Sequence, residues 1–267
     1  MRGITSRKNP IYGLILAALW SSAAAAPTIP GCAGGIEISR ARVVRVEQNG
    51  AMILSDGRAL LLEGIRLPLG AADKAPRQFA DQARATLLTL ARDGLVTGAA
   101  RAPKQDRYDR VRVQGFTETM WLQRALLEQG LARVSIAPDR RECADQLYAF
   151  EAVARNARRG IWANNAYRVR GDRPGDDWRQ DIGTFQVIEG RIGRVMLRDD
   201  RIVLDFGGDG RTGLLAVVTG DDRRIFRQAG DPMAWEGRRV RIRGVVQQVG
   251  GRPQIALGSA AQLELLN

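Results

Sequence analysis

Strand-length apolar runs, each closed by a glycine turn, do most to restrict what this chain can fold into. Val43–Val46 and Met52–Leu54 flank Gln48-Asn49-Gly50, an Asn-Gly turn signal. Ser55-Asp56-Gly57-Arg58 is a second turn, and it leads into a strand over residues 60–65. The spacing then predicts a helix over residues 77–92, with Phe79, Ala83, Leu87 and Leu90 on one face and Gly94 as its stop. Residues 110–114 alternate as a strand. Helices are expected over residues 119–129 and 142–158, ended by Gly130 and Gly160.

Residues 166–182 are polar and turn-rich and read as a linker. Beyond them strands are expected over residues 184–195, 202–206, 213–218, 239–249 and 253–257, with a short helix over residues 222–228. A length of 267 residues suits two small domains behind a leader. The fold expected is α+β: a five-stranded oligonucleotide-binding-type (OB) barrel with three helices over residues 41–165, then a smaller all-β OB-like barrel over residues 183–267.

Residues 1–25 read as a signal peptide: Arg2, Arg7 and Lys8, an apolar run from Ile11 to Trp20, then small residues. The apolar run is too short to span a bilayer comfortably. Cleavage after Ala25 leaves two cysteines, Cys32 and Cys143, and in an oxidising compartment an even count suggests one disulfide rather than two buried thiols. Gly31-Cys32 has some likeness to a lipidation site, but Pro30 and its distance from the apolar run argue against that. Histidine is absent, which removes histidine metal sites, Ser-His-Asp triads and histidine bases together. The net charge of +12 falls to +9 without the three leader cations and favours anionic partners, although nearly all of it is arginine.

Four motifs then stand in register: Gly64-Ile65-Arg66-Leu67-Pro68-Leu69; Asp106-Arg107-Tyr108-Asp109-Arg110; Trp121-Leu122-Gln123 with Gly130-Leu131-Ala132; and Glu151 with Ala154-Arg155 and Gly160-Ile161-Trp162. Their order and spacing resemble the staphylococcal nuclease-like (thermonuclease, TNase-like) family. In active members an Asp-Gly-Asp-Thr turn holds calcium, and the matching stretch here is Gln48-Asn49-Gly50-Ala51, with Gly50 at the key position. The family's Gly-Ile-Asp-Ala-Pro-Glu motif carries a metal aspartate and a general-base glutamate, which here fall at Arg66 and Leu69. One catalytic arginine falls at Leu61; only the other survives, at Arg110, with Tyr108 beside it and Arg107 in place of the usual lysine. Two tyrosines that flank bound nucleotide in the family fall at Ile136 and Pro138.

The resemblance implies the scaffold and drops most of the chemistry. Calcium needs several oxygen ligands, Gly50 supplies no side chain, and a guanidinium at position 66 repels a dication. No cofactor is therefore expected, and calcium only if the protein is active. Arg66, Arg107, Tyr108 and Arg110 are candidates for a phosphate-binding patch. Arg110 could equally pair with Asp109 or Glu151 in a structural network. The expected function is a secreted or periplasmic bacterial pseudonuclease that binds nucleic acid, single-stranded by preference, or another polyanion. Two alternatives stay open: an active calcium-dependent nuclease whose ligands have moved to Glu47, Glu63, Asp106 or Asp109, and a structural envelope protein.

Overall fold

The computed structural model describes residues 28–70, 73, 76–92, 94–171, 177–207, 213–220, 222–228 and 230–266. The expected signal peptide lies outside them. Among the described residues no helix is long and apolar enough to cross a membrane.

The first part runs β1 (Gly35–Ala41), β2 (Val43–Val46), β3 (Met52–Leu54), β4 (Ala59–Leu62), β5 (Ile65–Arg66), α1 (Arg77–Arg92), β6 (Val96–Ala100), β7 (Val111–Phe116), α2 (Leu122–Glu128), β8 (Arg133–Val134) and α3 (Ala144–Asn156). Its main sheet has the order β1-β6-β7-β4-β3-β2. Because β1 and β2 are the two halves of one strand bent at Arg42, the sheet curls back on itself as a five-stranded barrel. The second part runs β9 (Phe185–Arg191), β10 (Arg194–Leu197), β11 (Arg201–Asp205), β12 (Leu215–Thr219), α4 (Asp222–Gln228), β13 (Arg239–Val249), β14 (Arg252–Ala256) and β15 (Leu263–Leu266). Here β9 pairs with β13, and the circuit continues β13-β14-β12-β11-β10. The two circuits match step for step. Each has one parallel pair, β4 with β7 and β12 with β14, and one helix between its third and fourth strands.

Several strands carry too little pattern to be read from sequence. β6 is Val-Thr-Gly-Ala-Ala, yet it lies between β1 and β7. A Cβ at Gly98 would sit 2.9 Å from Val113 and 3.2 Å from Ile38, so small residues are what let the barrel close there. The strand expected over residues 60–65 breaks in two at Gly64, whose φ of +80° ends β4 and starts β5. β5 pairs only with the equally short β8. The strand expected over residues 184–195 likewise bends into β9 and β10 at Ile192-Gly193.

Cys32 and Cys143 form the expected disulfide, with 5.2 Å between their Cα atoms. It ties the segment before β1 to the residue before α3.

The linker does not hang free where it is described. Tyr167 and Trp178 are buried, and Arg170 exchanges backbone hydrogen bonds of 2.9 Å with Val187 and Glu189 alongside β9. Between the barrels, Arg243 of β13 is fully buried and its Nη1 lies 3.0 Å from both oxygens of Glu151 on α3. Its Nη2 bonds Glu264, and its guanidinium lies 4.3 Å from the Tyr148 ring centroid. Glu151 also accepts from the Val134 N–H at 2.7 Å and from Arg155 at 2.8 Å, so both its oxygens are partnered. Burial opposes the Arg243 charge, but Glu151 and Glu264 outweigh it and raise its pKa.

Removing one partner of so deeply buried a pair leaves the other charge uncompensated. Glu151→Ala should therefore cost about 3–5 kcal/mol, and Glu151→Gln less, in urea unfolding followed by tryptophan fluorescence. The unmodified protein should unfold in one step. Two separated transitions in the unmodified protein would show that the barrels are not coupled by this contact.

Candidate functional site

β4 and β5 with the β2–β3 turn build a cleft of roughly 170 Å³. Asn49 and Gly50 come from the turn, Leu61 and Leu62 from β4, and Ile65, Arg66, Leu67 and Leu69 from β5 and the chain after it. The turn is held locally: Asn49 Oδ1 accepts the Ala51 N–H at 2.9 Å, and Gly50 has φ of +85°. A Cβ built on Gly50 would lie 3.0 Å from a Leu67 methyl and 3.1 Å from a Leu69 methyl. Two leucine tips therefore occupy the space in front of the turn.

Arg66 is the one charged residue of this cleft, and its charge is already partnered. Its Nη2 is 3.0 Å from Asp73, whose side chain is wholly buried. The same carboxylate bonds Arg133 of β8. Arg133 also donates to the Phe185 carbonyl at 2.7 Å and lies 4.8 Å from the ring centroids of both Tyr167 and Phe185. Burial pulls the Arg133 pKa down, and Asp73 pulls it back. The repulsion a dication would meet at Arg66 is thus softened by Asp73, but two guanidiniums share that one carboxylate.

Arg107, Tyr108 and Arg110 come together on the loop before β7. Tyr108 is 61% exposed, with the Arg107 guanidinium 4.8 Å and the Arg110 guanidinium 5.1 Å from its ring centroid. Asp106 shapes this loop by accepting the N–H groups of Tyr108 at 2.9 Å and Arg110 at 3.1 Å. Its ion pair with Arg110, at 2.6 Å, corrects the expectation of Asp109 or Glu151 as the partner. The physical reason is the turn. Asp109 sits at φ of +59° within it, whereas Asp106 lies four residues before Arg110 and across the turn from it. Burial works against the Asp106 charge, but Arg110 and the turn N–H groups hold its carboxyl below the usual range. No ion pair forms on Arg107 among the described residues.

The acids considered as relocated ligands do not converge. Glu47 pairs with Arg45 at 3.3 Å. Glu63 points into a separate small pocket beside the disulfide, 3.2 Å from Arg112 and 3.5 Å from Arg140. Burial raises the Glu63 pKa, and the two arginines only partly reverse that. Ile136 is buried in that same pocket, and Pro138 packs on Gly258 of the second barrel. Among the described residues no group of three His, Cys, Asp or Glu side chains could hold a metal ion. The cleft lining, aliphatic apart from Asn49 and Arg66, does not suit calcium either.

Residues 59–164 match the family model described as Staphylococcal nuclease homologue. This segment is an SNase-like domain. Such a domain supports a nuclease-related or nucleic-acid-binding function. No curated protein matches the chain. Sequence reasoning located the cleft residues Gly50, Leu61, Arg66 and Leu69, but it missed Asp73 and Arg133, which set the charge there. The only signal for them was an acid and an arginine in otherwise unremarkable stretches.

Tyr167, beside Arg133, has a buried hydroxyl with no hydrogen-bond partner among the described residues, and burial pushes its pKa up to about 12 from 10.0. A phenol whose folded pKa is raised keeps its proton longer in the native state. Its contribution is present below the unfolded pKa and is lost as pH rises from about 10 towards 12. Tyr167→Phe should therefore leave neutral-pH stability equal or higher, by up to about 1 kcal/mol, and flatten the alkaline decline. Urea midpoints measured between pH 7 and roughly 11 test this; a Phe variant as steep as the parent would disprove it.

Proposed function

We propose that this is an exported, catalytically impaired nuclease-like protein that binds single-stranded nucleic acid or a similar polyanion. The observation that carries the reading is the cleft: leucines stand in front of the turn at Gly50, and Arg66 is drawn to Asp73. Leu69 cannot take a proton from water, and Gly50 offers no oxygen to a cation. On this reading the protein needs no calcium. Export is supported by the composition of residues 1–25 and by the disulfide, which suits an oxidising compartment.

Binding would use the loop of Arg107, Tyr108 and Arg110, with Arg66 at a second position. An exposed tyrosine gives a base a face to stack on, and Arg107 is free to meet a phosphate. Base stacking of this kind is worth about 1–3 kcal/mol per base and is tolerant of sequence.

The purified protein should not cut DNA or RNA with calcium above the rate of a mock-purified control. Calcium-dependent cleavage that disappears in Arg110→Ala would overturn the impaired-enzyme reading in favour of a relocated site.

Binding to single-stranded DNA should weaken steeply with salt, with a log–log slope of about −0.7 per phosphate neutralised. Tyr108→Ala and Arg107→Glu should each lower the affinity, and only the second should flatten the slope. Salt-independent binding, or full affinity in the double variant, would exclude this loop as the site.

A further inference from the structure

The cleft that lacks a nuclease's carboxylates has not simply filled in. About 170 Å³ remains, walled by Leu61, Ile65, Leu67 and Leu69, which are all only partly buried. An engineered cavity of about 150 Å³ with aliphatic and aromatic walls accepts a benzene ring. Two polar side chains line it: Asn49 Oδ1 accepts the Ala51 N–H, and Arg66 faces Asp73. The rest of the lining is aliphatic apart from the backbone of Gly50.

The charge left uncompensated around the cleft is positive. Arg66 and Arg133 share the single carboxylate of Asp73, which leaves one positive charge uncompensated at the wall. A second groove joins the cleft at Leu69 and carries Arg77 and Arg84. Arg84 is paired with Asp81 at 2.5 Å, whereas Arg77 has no partner among the described residues. An apolar pocket leading out past an unpaired guanidinium is complementary to an amphiphilic anion.

We propose that this cleft binds a small organic anion, placing a ring-sized apolar group among Leu61, Ile65, Leu67 and Leu69 and its carboxylate or phosphate toward Arg77. Arg66 lines this cleft and is also the second contact of the nucleic-acid reading, but the apolar walls, Arg77 and the separate Arg107–Tyr108–Arg110 loop keep the two proposals distinguishable.

The probe is 3-phenylpropionate titrated into the full chain by calorimetry, with 3-phenylpropylamine as its cationic counterpart and 3-phenylpropanol as the neutral one. Saturable binding of the carboxylate is expected, with the alcohol weaker and the amine weakest. Leu61→Glu should weaken the carboxylate at least about tenfold. Arg77→Glu should weaken the carboxylate while leaving the alcohol unchanged. Tyr108→Ala should leave all three unchanged. Methyl resonances of Leu61, Leu67 and Leu69 should shift during titration of the unmodified protein, a readout that no variant has to survive. Absence of saturable binding, shifts confined to other residues, an amine that binds as well as the acid, or full affinity in Leu61→Glu would each overturn the proposal. Loss of carboxylate binding in Tyr108→Ala would do the same, by placing the ligand on the nucleic-acid loop.

Discussion

The contact between Arg243 and Glu151 fixes more than the angle between two barrels. Glu151 takes the N–H of Val134 and Arg243 donates to its carbonyl, so both main-chain groups of that residue are held by one buried ion pair. Val134 belongs to β8, and among the described residues β8 is the only strand that β5 pairs with. Ile65 lies opposite Val134, and Arg66 opposite Arg133. A two-residue strand pair has little stability of its own. The second barrel thus holds β8, the partner strand of β5 at the cleft, through Arg243 at one end and the Phe185 carbonyl on Arg133 at the other. A buried charge pair is a poor source of net stability, and its geometric demands suit it to fixing one arrangement.

That dependence explains which parts of the structure could be read from sequence. α1 shows its helical period and matches the expected residues 77–92, because one face must be buried against the barrel. The turn at Gln48-Asn49-Gly50 is equally local. β6, with its Gly-Ala-Ala end, owes its strand character to neighbours in the sheet, and β8 owes its own to contacts from residues 151 and 243. The site divides the same way. Gly50, Leu61, Arg66 and Leu69 were found by their places in a motif. Their electrical state was not legible, since it depends on Asp73 and on an arginine from another strand. The ion-pair partner of Arg110 was missed for the converse reason: Asp106 meets it through a turn whose geometry no spacing rule specified.

The two barrels follow one strand circuit and differ in what they attach to it. The first carries α2, β8 and α3 after its last barrel strand; β8 pairs with β5 behind the cleft, and β8 and α3 make the face that meets Arg243 of the second barrel. The second ends with β15, whose Glu264 closes the ion network on Arg241 and Arg243. The additions of each barrel thus meet at the junction, and the shared circuit stays intact in both.

A cleft lined with carboxylates is a costly thing for a small barrel to keep. Like charges held close repel, and each must be solvated or matched by a cation. Leucine reverses the sign of that contribution: Leu67 packs on the main core, and its tip with that of Leu69 covers the backbone at Gly50. Fully burying a leucine is worth about 1.5–3 kcal/mol, and partial burial a fraction of it. Arg66 is held by Asp73, which lies buried within reach, with Arg133 anchored behind it. Aliphatic side chains at this cleft therefore add apolar burial without that cost, and the β5–β8 pair beside them is held by the second barrel. What persists is a shaped, apolar opening with positive charge at its edge, and any binding there must follow that chemistry.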